Sequence, residues 1–261
     1  MNSPGLSKHI VTEQQDGILR IVMNRPEKKN ALTIAMYSAL ADAIEQAEQD
    51  RNVRVLLIHG AGDSFTSGND LKDFLETPPR DSTSPVFRFM RAIRDAKMPV
   101  VAAVEGLAVG IGTTMLFHCD LVYAGAHAKF LMPFVNLGLC PEAGSSMLLP
   151  LLAGHQQAAE LLLLGEMFTA EKAREIGLIN DVCEDSQVLE LALEKAHRLT
   201  RQPQASVRLA KAQLKAVNHE LLQRVMAHEI SDLLKRLVSP EAKEAFSAFL
   251  ERRKPDFSAF Q

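Results

Sequence analysis

Tryptophan is absent from the 261-residue chain, and tyrosine occurs twice. Aromatic residues make up 5% of it, too few for a surface that stacks nucleic-acid bases. An excess of one charge is lacking too: 29 Lys and Arg stand against 32 Asp and Glu, a formal charge of −3. No basic surplus grips phosphate backbones, so nucleic acid is not an expected partner. The three cysteines, Cys119, Cys140 and Cys183, lie far apart. That number and spacing exclude a disulfide framework and predict reduced thiols in a cytoplasmic setting. Without a Cys-x-x-Cys or His-x-x-x-His pair, no structural metal site is expected. No apolar run reaches membrane-spanning length. The opening MNSPGLSKHIV has no secretory apolar core, and the closing Ser-Ala-Phe-Gln is not the peroxisomal address.

What is present is ordinary globular material, 47% hydrophobic and 23% charged. The length suits one large domain, or a domain with an appendage. The stretch from Pro99 to Asp120 organises the rest. Val100 to Val104 is an unbroken apolar run, as in a strand buried on both faces. Glu105-Gly106 then breaks the pattern. Ala108 to Phe117 is apolar and small, and is read as a buried helix starting over the end of that strand. Free N–H groups at its start point at whatever lies there. Gly110 and Gly112 let a ligand approach the main chain closely. Two other readings exist: the glycines serve only helix packing, or the loop binds a dinucleotide. The dinucleotide pattern needs a third glycine where Met115 stands.

Before this stretch, Gly17–Met23 alternates as a strand. Thr33 caps a helix with apolar Ile34, Tyr37, Leu40, Ala41 and Ile44, and Val53–Ile58 is a second strand. This is the β-α-β unit of a parallel sheet. Thr77–Pro85 is a loop and Phe87–Ala96 a helix. After it, Leu121–Ala124 and Lys129–Met132 are short strands. Met132–Ser146 is mostly loop, with a helix from near Ala143 to Leu149. His155–Leu164 is helical, Thr169 caps a helix stopped by Gly177, and Leu178–Val182 is the last strand. Ser186–Thr200 is an amphipathic helix. Beyond Gln202-Pro203 only helices follow, over roughly 203–218, 220–237 and 240–253, the last opened by Ser239-Pro240-Glu241. The expected division is a core over 1–200 and a helical region over 201–261 that acts as lid or oligomerisation arm.

Two turns sit at the carboxyl edge of the presumed sheet, where ligand crevices of α/β folds form. One is Ser67-Gly68-Asn69-Asp70-Leu71 and the other Val109-Gly110-Ile111-Gly112. Converging N–H groups there can hold a developing oxyanion. Glu142, after Pro141 in an otherwise apolar or small segment, is the candidate base. A helix N-terminus lowers its proton affinity and desolvation raises it. A first-turn glutamate facing water is the other reading. His118 reads as a core histidine, and Cys119 and Cys140 as small buried hydrophobes. Lys28 and Lys29 are either a solvated loop or contacts to a phosphate-bearing ligand. Arg252, Arg253 and Lys254 suit the end of a helix by charge alone.

The segments NRPEKKNAL, FTSGNDLKDF, KMPVVAAVEGLAVGIG, HCDLVYA, LGLCPEAGSS, FTAEKAREIGLIN and AFLERRKPDF, in this order, resemble the enoyl-CoA hydratase/isomerase (crotonase) superfamily. The resemblance implies a spiral of β-β-α repeats, a C-terminal all-helical region, and a homotrimer or dimer of trimers. It implies an acyl-CoA thioester as substrate, with coenzyme A part of that substrate and no further cofactor. Asn69 and Ile111 match the two oxyanion-hole positions. Lys28, Ala31, Ser67, Gly68, Asp70, Leu71 and Gly110 match the region along coenzyme A, and Phe249 and Arg252 match C-terminal residues that close the pocket. Hydratases of the family keep two glutamates, at the positions of Thr114 and Phe134 here. The dehalogenase-type aspartate is missing near Ser145 and Ser146. Glu142 falls where delta3,delta2-enoyl-CoA isomerases of the peroxisomal type keep their single glutamate. The implied reaction moves a proton from C2 to C4 of a 3-enoyl-CoA, giving the trans-2-enoyl-CoA, and Thr114→Ala is expected to leave turnover roughly intact. Hydration of a trans-2-enoyl-CoA, or another crotonase-type reaction, is the first alternative. A non-catalytic acyl-CoA- or RNA-binding relative is the second.

Overall fold

A computed structural model describes residues 7–260. The first six residues of the N-terminal reading, and Gln261, lie outside the described residues. The chain opens with a hairpin of β1 (Ile10–Gln15) and β2 (Ile18–Met23), then α1 (Ile34–Gln49) and β3 (Val55–Gly60). Thr33 caps α1 by accepting from the Met36 N–H. Next come α2 (Leu71–Glu76), α3 (Pro85–Asp95), β4 (Val100–Val104), β5 (Leu107–Val109) and α4 (Ile111–Thr114). β6 (Leu121–Gly125), β7 (Lys129–Leu131), α5 (Ser145–Ala153) and α6 (His155–Ala159) follow. The core ends with β8 (Phe168–Thr169), α7 (Ala170–Glu175), β9 (Asp181–Cys183) and α8 (Val188–Thr200). Beyond it lie α9 (Gln204–Ala216), α10 (His219–Leu237) and α11 (Pro240–Leu250).

One sheet runs in the order β1-β2-β3-β4-β6-β9, parallel except for the antiparallel β1 edge. Its central strands are buried on both faces, which is why they read as continuous apolar runs. Val55, Leu57, Val101 and Ala103 pack with Val188, Ala192 and Ala196 of α8. Leu56, Ile58, Val100 and Ala102 face the larger core shared with α1 and α3. A second sheet, β5-β7-β8, stands beside the first. β4 passes into β5 and then α4, the β-β-α repeat of the spiral. β6 likewise passes into β7. The turn after β3 joins the pattern through Thr66, which bridges Ala108 of β5, and Ala108 in turn pairs with Phe130 of β7.

The helix expected from Ala108 to Phe117 is thus divided. Leu107–Val109 find strand partners in Lys129–Leu131, a non-local pairing that outweighs helical spacing. Gly110, at φ 56° and ψ −119°, makes the turn out of the strand, a conformation suited to glycine. Helix begins only at Ile111 and tightens to a 3₁₀ turn over Met115–His118. β1 was not expected, since only Ile10 of IVTEQQ is buried. The last strand is Asp181–Cys183 rather than Leu178–Val182, because Asn180 spends its backbone N–H and its side-chain oxygen on Val122. α5 starts at Ser145 rather than Ala143, since Ala143 and Gly144 are left-handed. The tail is tied to the core by Lys211, whose Nζ donates to Met98 O at 2.7 Å and Asp120 Oδ2 at 2.6 Å.

Candidate active site

The two glycine turns lie against each other. Thr66 N donates to Leu107 O at 2.9 Å, and Val109 N to Thr66 O at 3.0 Å. Asn69 and Ile111 each stand three residues beyond the bridged pair Thr66 and Ala108, at the open end of that short ladder. Neither Asn69 N–H nor Ile111 N–H has an acceptor among the described residues. For Ile111 this follows from its place as the first residue of α4. Gly68, at φ +86°, permits the close approach: a Cβ on it would come within 2.7 Å of Val109 O.

The segment Lys28–Leu32 flanks the first turn. Leu32 N donates to Gly68 O and Asp70 N to Leu32 O, at 2.8 and 2.9 Å. Ser67 N donates to Lys29 O at 2.9 Å. Lys28, Ala31, Ser67, Gly68, Asn69, Asp70 and Leu71 are therefore neighbours, with Gly110 across the ladder. Asp70 caps α2 and pairs with Arg25 at 2.6 Å. Burial opposes the Asp70 charge, but Arg25 and the α2 N–H groups outweigh it and hold its carboxyl below the usual range. Asn30 staples the flank. Its Nδ2 donates to Ala61 O at 2.8 Å and Ser64 O at 2.6 Å, and its main-chain oxygen accepts from Thr66 Oγ1. Its only cue in the sequence was tolerance of the left-handed φ of 55° it adopts.

Glu142 reaches this site from the loop before α5 and is 6% exposed, so the water-facing reading does not hold. The Thr114 hydroxyl, one turn along the helix that Ile111 opens, donates to Glu142 Oε1 at 2.7 Å. Burial drives the Glu142 carboxyl up to about 8; the Thr114 bond pulls it down and the Glu229 charge pushes it further up. From α1, the buried Tyr37 hydroxyl donates to Asn69 Oδ1 at 2.5 Å. Burial and the nearby Glu142 charge hold the Tyr37 hydroxyl well above its usual value. Tyr37 thus connects the turn that carries Asn69 to the surroundings of the carboxylate. Sequence reading placed Tyr37 only as a core position.

His118 is a core histidine, as expected, with Nε2 2.7 Å from Ala143 O. Burial lowers it to about 4, so the ring is neutral and Nε2–H donates. Burial likewise pushes the Cys119 and Cys140 thiols up to about 12 and about 11, which leaves them poor nucleophiles. Phe134 is buried. Phe249 is 60% exposed and Arg252 lies on the surface, so the protomer by itself does not fold them over Glu142. A cavity of about 800 Å³ opens elsewhere, between the end of α3 and α9–α10. Of the five cations that line it, Arg94, Arg208 and Lys211 are paired with Asp95, Glu48 and Asp120. No helix among the described residues is long and apolar enough to cross a membrane.

Known proteins are similar to this chain in sequence and fold. The Escherichia coli K12 protein named 1,2-epoxyphenylacetyl-CoA isomerase is 34% identical, over 97% of this chain and 99% of its own. The rat protein named enoyl-CoA delta isomerase 2 is 35% identical over 95% of this chain, which spans 64% of the rat protein. The solved structure of Pseudomonas aeruginosa OdaA is similar with a TM-score of 0.92 and 52% identity, covering 94% of this chain and all of that one. Residues 13–259 match the family model described as enoyl-CoA hydratase/isomerase. A match over nearly the whole length, with the spiral fold behind it, makes the chain a member of the enoyl-CoA hydratase/isomerase family.

Proposed function

We propose that the protein isomerises a 3-enoyl-CoA to the trans-2-enoyl-CoA. The thioester oxygen lies between the N–H groups of Asn69 and Ile111, which have no other acceptor among the described residues. Polarised in this way, C2–H gives its proton to the Glu142 carboxylate, and its electron pair passes into a dienolate. The two N–H groups hold the new oxyanion, each contributing about 2.7–4 kcal/mol at the transition state. The protonated Glu142 then delivers its proton to C4, the electrons shift back, and the double bond lies between C2 and C3. A proton affinity near working pH suits a group that must both take and return a proton.

One observation carries the reading: Glu142 is the buried carboxyl at the site, and Thr114, not a second acid, faces it. Hydration by a pair of glutamates lacks both of them, since Thr114 and Phe134 stand at their positions. Coenzyme A enters as part of the substrate, along Lys28, Ala31, Ser67, Asp70 and Leu71. In the expected homotrimer or dimer of trimers, Phe249 and Arg252 close the pocket from a neighbouring subunit, in keeping with their exposure in one protomer.

The test compares 3-hexenoyl-CoA and crotonyl-CoA with wild type and Glu142→Gln. Isomerisation lost by about 10²–10⁴-fold in the variant supports the base assignment. Near wild-type isomerisation in Glu142→Gln overturns it, and faster loss of the crotonyl-CoA chromophore than isomerisation supports hydration instead.

A further inference from the structure

The loop that carries Glu142 is held from the C-terminal region. Glu229 of α10 is 8% exposed, yet no cation pairs with it among the described residues. Its Oε2 accepts from Gly144 N at 2.6 Å, and its Oε1 accepts from Ser146 N at 3.1 Å and Ser146 Oγ at 2.5 Å. Gly144 ends the turn between Glu142 and α5 and Ser146 lies in the first turn of α5, and the junction needs holding because Ala143 and Gly144 are consecutively left-handed, at φ 56° and 77°. Alanine rarely adopts that region, and such strain persists only when the surroundings fix it. His118 holds the turn on one side through Ala143 O, and Glu229 holds the other through the N–H groups.

We propose that Glu229 is a positioning residue of the active site, fixing from α10 the strained turn that aims Glu142 at the substrate. The inference rests on the reading of Glu142 as the base. Burial raises the proton affinity of Glu229, and the three donors aimed at it offset part of that rise by favouring the carboxylate. Its charge acts on Glu142 as a like charge does, raising the proton affinity of the base. The titratable groups around Glu142 are Tyr37 from α1, His118 behind Ala143 and Glu229 from α10. Around Glu229 they are Cys140, His228 and Asp232.

The experiment measures kcat and KM for 3-hexenoyl-CoA against pH in Glu229→Gln, Ser146→Ala and Glu142→Gln, with thermal unfolding of each. Glu229→Gln keeps the shape but removes the charge and at least one accepted bond. Its kcat should fall about tenfold or more with KM nearly unchanged, since a misaimed base costs rate rather than binding. Its acid limb should move to lower pH. Ser146→Ala should lower kcat less and leave the limb in place. A Glu229→Gln enzyme with the wild-type kcat and limb, while Glu142→Gln is inactive, overturns the inference and leaves the base assignment intact. So does a lowered melting temperature with an unchanged pH profile. If Glu142→Gln keeps its turnover, both fall. Should Glu229→Gln fail to fold, Ser146→Ala decides: a wild-type kcat overturns the proposal, and a lowered one upholds it.

Discussion

The Thr114 hydroxyl donates across 2.7 Å to Glu142 Oε1, joining the helix that Ile111 opens to the carboxyl group 28 positions further along the chain. The bond favours the charged form of Glu142, against the burial that raises it. Thr114→Ala, expected to leave turnover roughly intact, removes this bond. In Thr114→Val the acid limb of kcat/KM should move to higher pH, and each unit of that shift costs about tenfold at pH below the limb. Above it the loss should be small. A pH–rate profile that does not move would mean that the contact has no part in setting the base.

Glu142 also links stability to pH. Its carboxyl lies at about 8 in the fold against 4.5 when unperturbed, so the folded protein binds that proton more tightly than the unfolded chain. Stability is therefore lost as pH rises from about 4.5 to about 8, and the loss is complete above that. Glu142→Gln has no such penalty. Its melting temperature should equal that of wild type near pH 4.5 and exceed it by several degrees at pH 8, at about 2–4 °C per kcal/mol for a chain of this size. Calorimetric scans showing the same gap at both ends would contradict the burial argument.

Gly68 sets the spacing of the two turns. A Cβ there meets the Val109 carbonyl at 2.7 Å and needs the disfavoured φ of +86°. The obstacle is backbone, so it yields only if the turns part. Gly68→Ala should lower kcat by about 10²-fold or more, comparable to losing one oxyanion donor. Far-ultraviolet circular dichroism should not change. An active Gly68→Ala enzyme would place the oxyanion elsewhere.

Tyr37→Phe removes the donor to Asn69 Oδ1 and leaves that amide oxygen without its partner. A cost of about 1–3 kcal/mol in stability is expected from such an orphaned group. Because the bond steadies the turn and Tyr37 lies outside the proposed coenzyme A path, kcat should fall while KM stays within about twofold. Steady-state kinetics with urea denaturation separates these effects, and a change confined to KM would contradict them.

Local signals in the sequence reported local structure well. The caps at Thr33, Thr169 and Ser239 each accept the helix N–H that their position promised. The both-face burial of Val100–Val104 was plain from its unbroken apolar run. Leu107–Val109 was misread because three residues carry no period of their own, and their strand character comes from partners far along the chain. Glu142 stood out by being acidic in an apolar segment. Glu229 did not, because a glutamate in HELLQRVMAHEISDLL looks like any residue of a solvated helical face. Only the packing of α10 on α5 turns it inward. Phe249 and Arg252 carried a family pattern, but the fold of the chain leaves them at the surface.

The seclusion of Glu142 bears on the fate of an atom. At 6% exposure, the carboxyl is walled off from bulk water once the crevice is filled. In the proposed reaction the hydrogen it lifts from one carbon then has nowhere to go but two carbons onward. Turnover in deuterium oxide should therefore give product that has kept mostly protium at C4, which mass spectrometry can read. A product fully labelled there would mean that the carboxyl trades its hydrogen with the solvent faster than it passes it on.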